Sequence, residues 1–452
     1  MPNSQQHENT HEHLRLLANS LGSGALSQIS QQINDLHPAE VANLLESLPM
    51  QKRLLVWGLV NPELTGDILV EVNDEVRQGL IEKTDYNDLI SAVASMETDD
   101  LADIFEDLPD AVLHEVVRSM SNQDRRRLQS VMSYSEDSAG GLMNPDVVTI
   151  RPNVNLGAAL RYLRQHGELP ANTDKLFVVD RDDRYLGILN IIDLITKSRH
   201  SPVSDIMETD QKALSPTLSA NDVALFFEDY NLISAPVVDE KNHLLGRITV
   251  DDVVDVIRDE ADRSILSIAG LDEDDDMFAP VMKSAKRRTL WLGINLLTAL
   301  IAAGVISLFA ETIEQLVALA VLMPIVASMG GIAGSQTLML VIRGIALNQV
   351  GQTNARWLLW KELAVGALNG CLWAGVVAVL TALWFQSQSL GLLIGAALII
   401  NLVAAALAGA TIPLALKRMS IDPAIAGGVI LTTVTDVIGF FTFLGLATLF
   451  LL

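Results

Sequence analysis

The 452-residue chain has one cysteine, no P-loop, no HExxH, no nucleophile elbow and, in its apolar half, no cluster of His and Cys. The single thiol, Cys371, excludes an intrachain disulfide framework. It falls in an apolar run and reads as a small buried hydrophobe rather than a reactive group. Without a nucleotide-hydrolysing or metalloprotease motif the chain reads as a non-enzyme. The start, MPNSQQHENTHEH, lacks an apolar core, so no cleavable signal peptide is expected. His7, His11 and His13 read there as a solvated tail rather than a metal site. A net charge of −24 excludes a nucleic-acid partner, because an acidic surface repels phosphate.

What is present is distributed very unevenly. The first 282 residues hold 22 Lys+Arg and 50 Asp+Glu, a net of −28, and the last 170 hold 9 and 5, a net of +4. Such a step means a soluble acidic part joined to a membrane part, and excludes a single globular domain.

From residue 14 to about 140, apolar positions recur at three and four, as in Val41, Leu44, Leu45 and Leu48, which predicts helices. LHPAEVANLLESLP (Leu36–Pro49) and METDDLADIFEDLP (Met96–Pro109) repeat at a register of 60, predicting a stack of helical units. A second repeat follows at an offset of 59. Asp180 matches Asp239, Gly187 matches Gly246 and Asp193 matches Asp252, each copy reading strand, turn, strand, helix. This tandem β-β-α unit resembles a pair of CBS domains. That implies a regulatory module whose cleft takes a small ligand, commonly an adenine nucleotide such as ATP.

Five apolar stretches follow, Thr289–Ala310, Leu316–Leu347, Leu358–Phe385, Leu390–Leu416 and Pro423–Leu452, each long enough to span a bilayer. Basic connections alternate with non-basic ones, which predicts a cytoplasmic soluble half and a C-terminus on the periplasmic or extracellular side. Asp436 stands in the last span, within GGVILTTVTDVIGFF, where a charge costs about 2.5–3.5 kcal/mol on insertion scales. The hydroxyls and carbonyls of Thr432, Thr433 and Thr435 beside it are hard ligands suited to Mg²⁺ or Ca²⁺, which predicts a cation site, with a neutral buried acid or one hydrogen-bonded to a neighbouring helix as the alternative. In the second span, MPIVASMGGIAGSQ carries Pro324, Gly330, Gly331, Gly334 and Ser335, which predicts a break lining the pathway, with plain helix packing as the alternative.

With MPIVASMGGIAGSQ, RWLLWKELAVGALNG, SIDPAIAGG and TTVTDVIGF in place, nearly the whole chain resembles the MgtE family of magnesium channels. The resemblance implies a multidomain fold: an all-α N-domain (1–140), an α/β CBS pair (141–201 and 202–262), an acidic plug helix with its linker (251–282) and an all-α five-helix membrane domain (283–452). It implies a homodimer in the cell inner membrane, its pore lined by the second and fifth spans. There Asp436 holds a hydrated Mg²⁺ with help from the backbone near Thr432. Ile332, Ser335 and Gly428 stand where the family usually has Asn, which opens passage of Co²⁺ or Mn²⁺ as an alternative.

Asp252, Asp255, Asp259 and Asp262 fall within about 80° of one helix face. With Glu260 they form the acidic plug helix of the resemblance. Asp99, Asp100 and Asp103 cluster on the turn where the family docks it, and Asp422 matches an acidic position at the pore's cytoplasmic end. The functional expectation is a Mg²⁺ channel that passes Mg²⁺ inward down its gradient and is closed when cytosolic Mg²⁺ bridges these carboxylates. A solvated acidic face is the alternative for the charge run, a helix N-cap for Asp422, and a non-conducting CBS membrane sensor for the whole chain. Asp272–Asp276 reads as a flexible, solvated linker.

Overall fold

The computed structural model describes residues 26–452 apart from 95, 167–168, 171, 268–269, 272–275, 348, 352–353 and 420. His7, His11 and His13 lie outside the described residues. The chain forms two compact units, Met1–Asp262 with Asp274–Pro280, and Arg263–Glu273 with Val281–Leu452.

The first unit begins with short helices: α1 (Leu26–Asn34), α2 (Pro38–Glu46), α3 (Met50–Trp57), α4 (Thr65–Glu71), α5 (Asp74–Ile81), α6 (Tyr86–Val93), α7 (Thr98–Asp103), α8 (Asp110–Ser119) and α9 (Asn122–Val131). Polar caps start several of them. His37 and Glu40 form a reciprocal capping box on α2, and Asn73 and Ser121 accept from the first-turn N–H groups of α5 and α9. The 60-residue repeat is visible in the core. Val41, Leu44 and Leu48 of the first copy and Leu101, Ile104 and Leu108 of the second are all buried in one cluster. Pro49 and Pro109 then stand immediately before α3 and α8, where the missing N–H costs nothing.

The second repeat forms two β-hairpins. Strands β1 (Thr149–Ile150), β2 (Lys175–Val179) and β3 (Tyr185–Asn190) make one sheet, β1 parallel and β3 antiparallel to β2. Strands β4 (Ser234–Val238) and β5 (Leu244–Thr249) make the other, antiparallel. Helices α10 (Leu156–His166), α11 (Ile191–Thr196), α12 (Ala220–Tyr230) and α13 (Val250–Leu266) accompany them. The offset of 59 holds down to the turns. Asp180 accepts from the N–H groups of Asp182 and Arg184, and Asp239 from those of Lys241 and His243. Asp183 and Asn242 both take positive φ, 59° and 67°, which short polar side chains tolerate. The turns also bind each other: Tyr185 N–H donates to Asn242 O at 2.8 Å, and Leu244 N–H to Asp183 O at 3.1 Å.

In the second unit, five described helices are long and apolar enough to cross a bilayer: α14 (Val281–Ser307), α16 (Ala318–Ala346), α17 (Ala355–Phe385), α18 (Gln388–Arg418) and α19 (Pro423–Phe450), with a short α15 (Ala310–Gln315) after the first. The first begins earlier than its apolar stretch, because nothing in the basic run from Lys283 to Arg288 breaks a helix. Helix α18 is the most enclosed, packing against α16, α17 and α19, and α14 the least. Small residues at these seams (Gly330, Gly334, Gly366, Gly409 and Gly439) let the backbones approach closely.

Candidate functional site

Asp436 is half-buried in the middle of α19, and no basic side chain among the described residues pairs with it. One and two turns before it on the same face stand Thr432, exposed, and Gly428, beside which a Cβ would meet nothing. Thr432's hydroxyl donates to Gly428 O, leaving its lone pairs available to a cation or its water. Its carbonyl accepts the Thr435 hydroxyl at 3.0 Å, so the expected backbone contribution at Thr432 is already committed within the helix. Gly331 of α16 lies beside this face, since a Cβ there would approach Thr432 Cγ2 at 4.0 Å.

The expected break in the second span is not found. Helix α16 is continuous from Ala318 to Ala346 with Pro324 inside it. Pro324 lies in the second turn and removes one bond of the helix's ladder, which spanning helices tolerate where packed neighbours support the backbone. Gly330 and Gly334 pack instead: added Cβ atoms would fall 2.3 Å from Asn401 Nδ2 and 2.9 Å from Leu431 Cδ1. Ser335 is half-buried and Ile332 is 57% exposed. Cys371 also departs from expectation. It is exposed on α17, because the outer faces of spanning helices are apolar without being core.

In the first unit the structure gathers Asp99, Asp100 and Asp103 of α7 toward Asp252 of α13. Burial, then Asp100 and Asp252, push Asp99 up to about 8. Burial, then Glu97 and Asp252, push Asp100 up to about 7. Burial with Asp100 and Asp252 pushes Asp103 up to about 7, although Arg77 opposes the shift. Asp252 is pushed up to about 6, mainly by burial, while the N–H and hydroxyl of Thr249 pull it down. Asp99 Oδ1 is buried with no hydrogen-bond partner among the described residues. No three described His, Cys, Asp or Glu side chains converge closely enough to ligate one ion directly. Thr98 bonding Asp146 and Asn144 bonding Glu97 fasten the start of α7 to the segment leading into β1.

Of the other carboxylates of α13, Asp251 adds to the shifts of Asp100 and Asp252, and Asp255 to that of Asp252. Asp255 is raised by burial and repels Glu71, with Arg258 at 3.6 Å opposing the shift. Asp259 approaches Arg258 at 3.5 Å. Asp259, Glu260 and Asp262 follow along the same helix. Asp422 caps α19, accepting from Ala424 N–H at 2.8 Å.

Two acids behave in ways the sequence reading missed. Residues 272–275 of the expected solvated linker lie outside the described residues, but Asp276 is buried. It accepts both ends of the Arg53 guanidinium, at 2.7 and 2.9 Å, and the two side chains are 6% and 3% exposed. Glu362, buried near the start of α17, accepts from Thr337 of α16 at 3.1 Å and from Lys361 at 2.8 Å.

A cavity of about 730 Å³ opens between the CBS hairpins and α4, lined among others by Glu71, Asp174, Asp251 and Asp255. It has room for a nucleotide, but its four carboxylates do not favour a polyphosphate at this cavity.

Three family profiles match in chain order: the MgtE intracellular N domain over 36–137, the CBS domain over 139–200 and 203–259, and the MgtE divalent cation transporter over 323–446. The chain is similar to the magnesium transporter MgtE of Bacillus subtilis, 28% identical over 431 residues covering 95% of this chain and 96% of the relative. It is similar also to that of Thermus thermophilus, 28% identical over 440 residues covering 96% and 98%. The solved cytosolic domain of the Mg²⁺ channel MgtE in complex with ATP is 27% identical, covering 53% of this chain and 98% of that one, with a TM-score of 0.48. Fold and matches define a multi-pass membrane transport protein with a cytoplasmic N-terminal domain and a CBS pair. The chain belongs to the MgtE family, whose curated relatives are magnesium transporters.

Proposed function

We propose that this chain is a Mg²⁺ channel, working as a homodimer of the inner membrane, that cytosolic Mg²⁺ closes. The gathering of Asp99, Asp100 and Asp252, half-buried, with the exposed Asp103, all raised well above the ordinary carboxyl pKa, carries the gating part. Such a group favours its compact arrangement only when protons or cations neutralise it. Hydrated Mg²⁺ suits it, because the ion keeps its waters and binds carboxylates through them without tight convergence. Moving a gate from 1:99 to 99:1 takes about 5.5 kcal/mol of differential binding, which a few weak bridging ions supply together. Asp255, Asp259, Glu260 and Asp422 add further regulatory ligands.

For conduction, Asp436 with Thr432 and Gly428 offers a polar face on an otherwise apolar helix, beside Gly331. In a dimer two such faces would supply two carboxylates to one hydrated ion. A potential of −100 mV drives a divalent cation inward with about 4.6 kcal/mol. The exposed Ile332 in place of an amide favours, as a second reading, weak discrimination against Co²⁺ or Mn²⁺. Mg²⁺ and Co²⁺ flux into proteoliposomes tests all of this. Mg²⁺ uptake that falls as Mg²⁺ is raised on the side of the soluble half is expected, and no flux of any divalent cation would leave a membrane-anchored sensor.

A further inference from the structure

We infer that Asn401 is a positioning residue for the cation pathway, its amide fixing the separation and rotation of α16 and α19 and so the place of Asp436. The inference rests on the pore reading of Asp436. Asn401 stands near the middle of α18 and is fully buried. Its Nδ2 donates to Val326 O of α16 at 2.8 Å. Gly330, one turn further along α16, would place a Cβ 2.3 Å from the same nitrogen, and Gly439 of α19 would place one at 2.8 Å. The amide therefore fills a slot that two glycines, one from each flanking helix, leave open. Gly439 follows Asp436 by three residues, within one turn of the same helix.

The chemistry of the side chain argues for more than filling space. Asn401 Oδ1 is buried with no hydrogen-bond partner among the described residues. An orphan acceptor inside a bilayer is costly, so Leu, with the same branching, would serve packing better. A directed bond does what packing cannot, by pinning one carbonyl of α16 at a set distance from α18. The pin falls two residues after Pro324, where the ring has removed an N–H and loosened the helix's own ladder.

The test uses full-length protein in proteoliposomes, with initial Mg²⁺ and Co²⁺ uptake measured beside thermal unfolding. Asn401→Leu should melt no lower than wild type, yet lose Mg²⁺ uptake by about tenfold and change the Mg²⁺:Co²⁺ ratio, as small misplacements of a site do. Asn401→Ala, which breaks the bond and leaves room, guards against a packing failure of the Leu variant and should shift the ratio likewise. An unchanged ratio in both variants overturns the inference, including where uptake falls only in step with the folded fraction. A wild-type protein that carries neither ion overturns the pore reading and this inference with it.

Discussion

Asp99 is a carboxyl that protons and Mg²⁺ should compete for. Its pKa of about 8, with about 7 for Asp100 and Asp103 and about 6 for Asp252, lies well above the ordinary 3.8. A carboxyl raised in the compact state stabilises that state fully below its unfolded pKa, and the contribution is lost as pH rises through the folded value. In the absence of Mg²⁺, the closed arrangement of α7 against α13 should thus be favoured near pH 5 and lost between about pH 6 and 8. Protease protection of the soluble half, followed against Mg²⁺ at pH 5.5 and pH 8, checks this. The Mg²⁺ dependence should be steep at pH 8 and shallow at pH 5.5, and equal curves would return these acids to a solvated face. At the pore, Asp436→Ala removes a charge that costs energy in a span, so the protein should insert and fold while divalent uptake is abolished. Wild-type flux through that variant would remove Asp436 from the pathway.

At the scale of elements, the segment before α14 is held down through the buried Arg53–Asp276 ion pair, with Asp276 N–H also donating to Glu75 at 3.1 Å. Arg53→Met leaves Asp276 buried and unpaired, a loss of about 3–5 kcal/mol, and should open the chain at 276–280 to protease. Adding Asp276→Leu should restore much of the protection, because replacing both partners removes the unpaired charge. Asp276 was illegible in the sequence for a definite reason. It ends a run of five acids, and its partner lies 223 residues away. The helical periods, both repeats and the five spans were legible, because each is written in local spacing. Asp436 was legible because a charge in an apolar run needs no partner to be noticed. Gly330 looked like a helix break, since its reason for being glycine is Asn401 on another helix. Glu362 went unread for the same cause, its hydrogen bond to Thr337 crossing between helices.

At the scale of the whole molecule, five spans with a cytoplasmic soluble half require Leu452 to face outward, because the number of spans is odd. A C-terminal reporter active only in the cytoplasm should stay silent, and a bright one would show that a span has been miscounted. The central claim is that the ion which passes the membrane half also closes it by binding the soluble half. Its most direct test is single-channel or flux recording of the wild type and of Asp99→Asn/Asp252→Asn while Mg²⁺ is titrated on the side of the soluble half alone. Conduction of the wild type should fall over millimolar Mg²⁺, and the double variant, with ligands and repulsion both removed, should respond with a flatter curve. An unchanged midpoint and steepness in the variant, or wild-type conduction indifferent to Mg²⁺ on that side, would contradict the account.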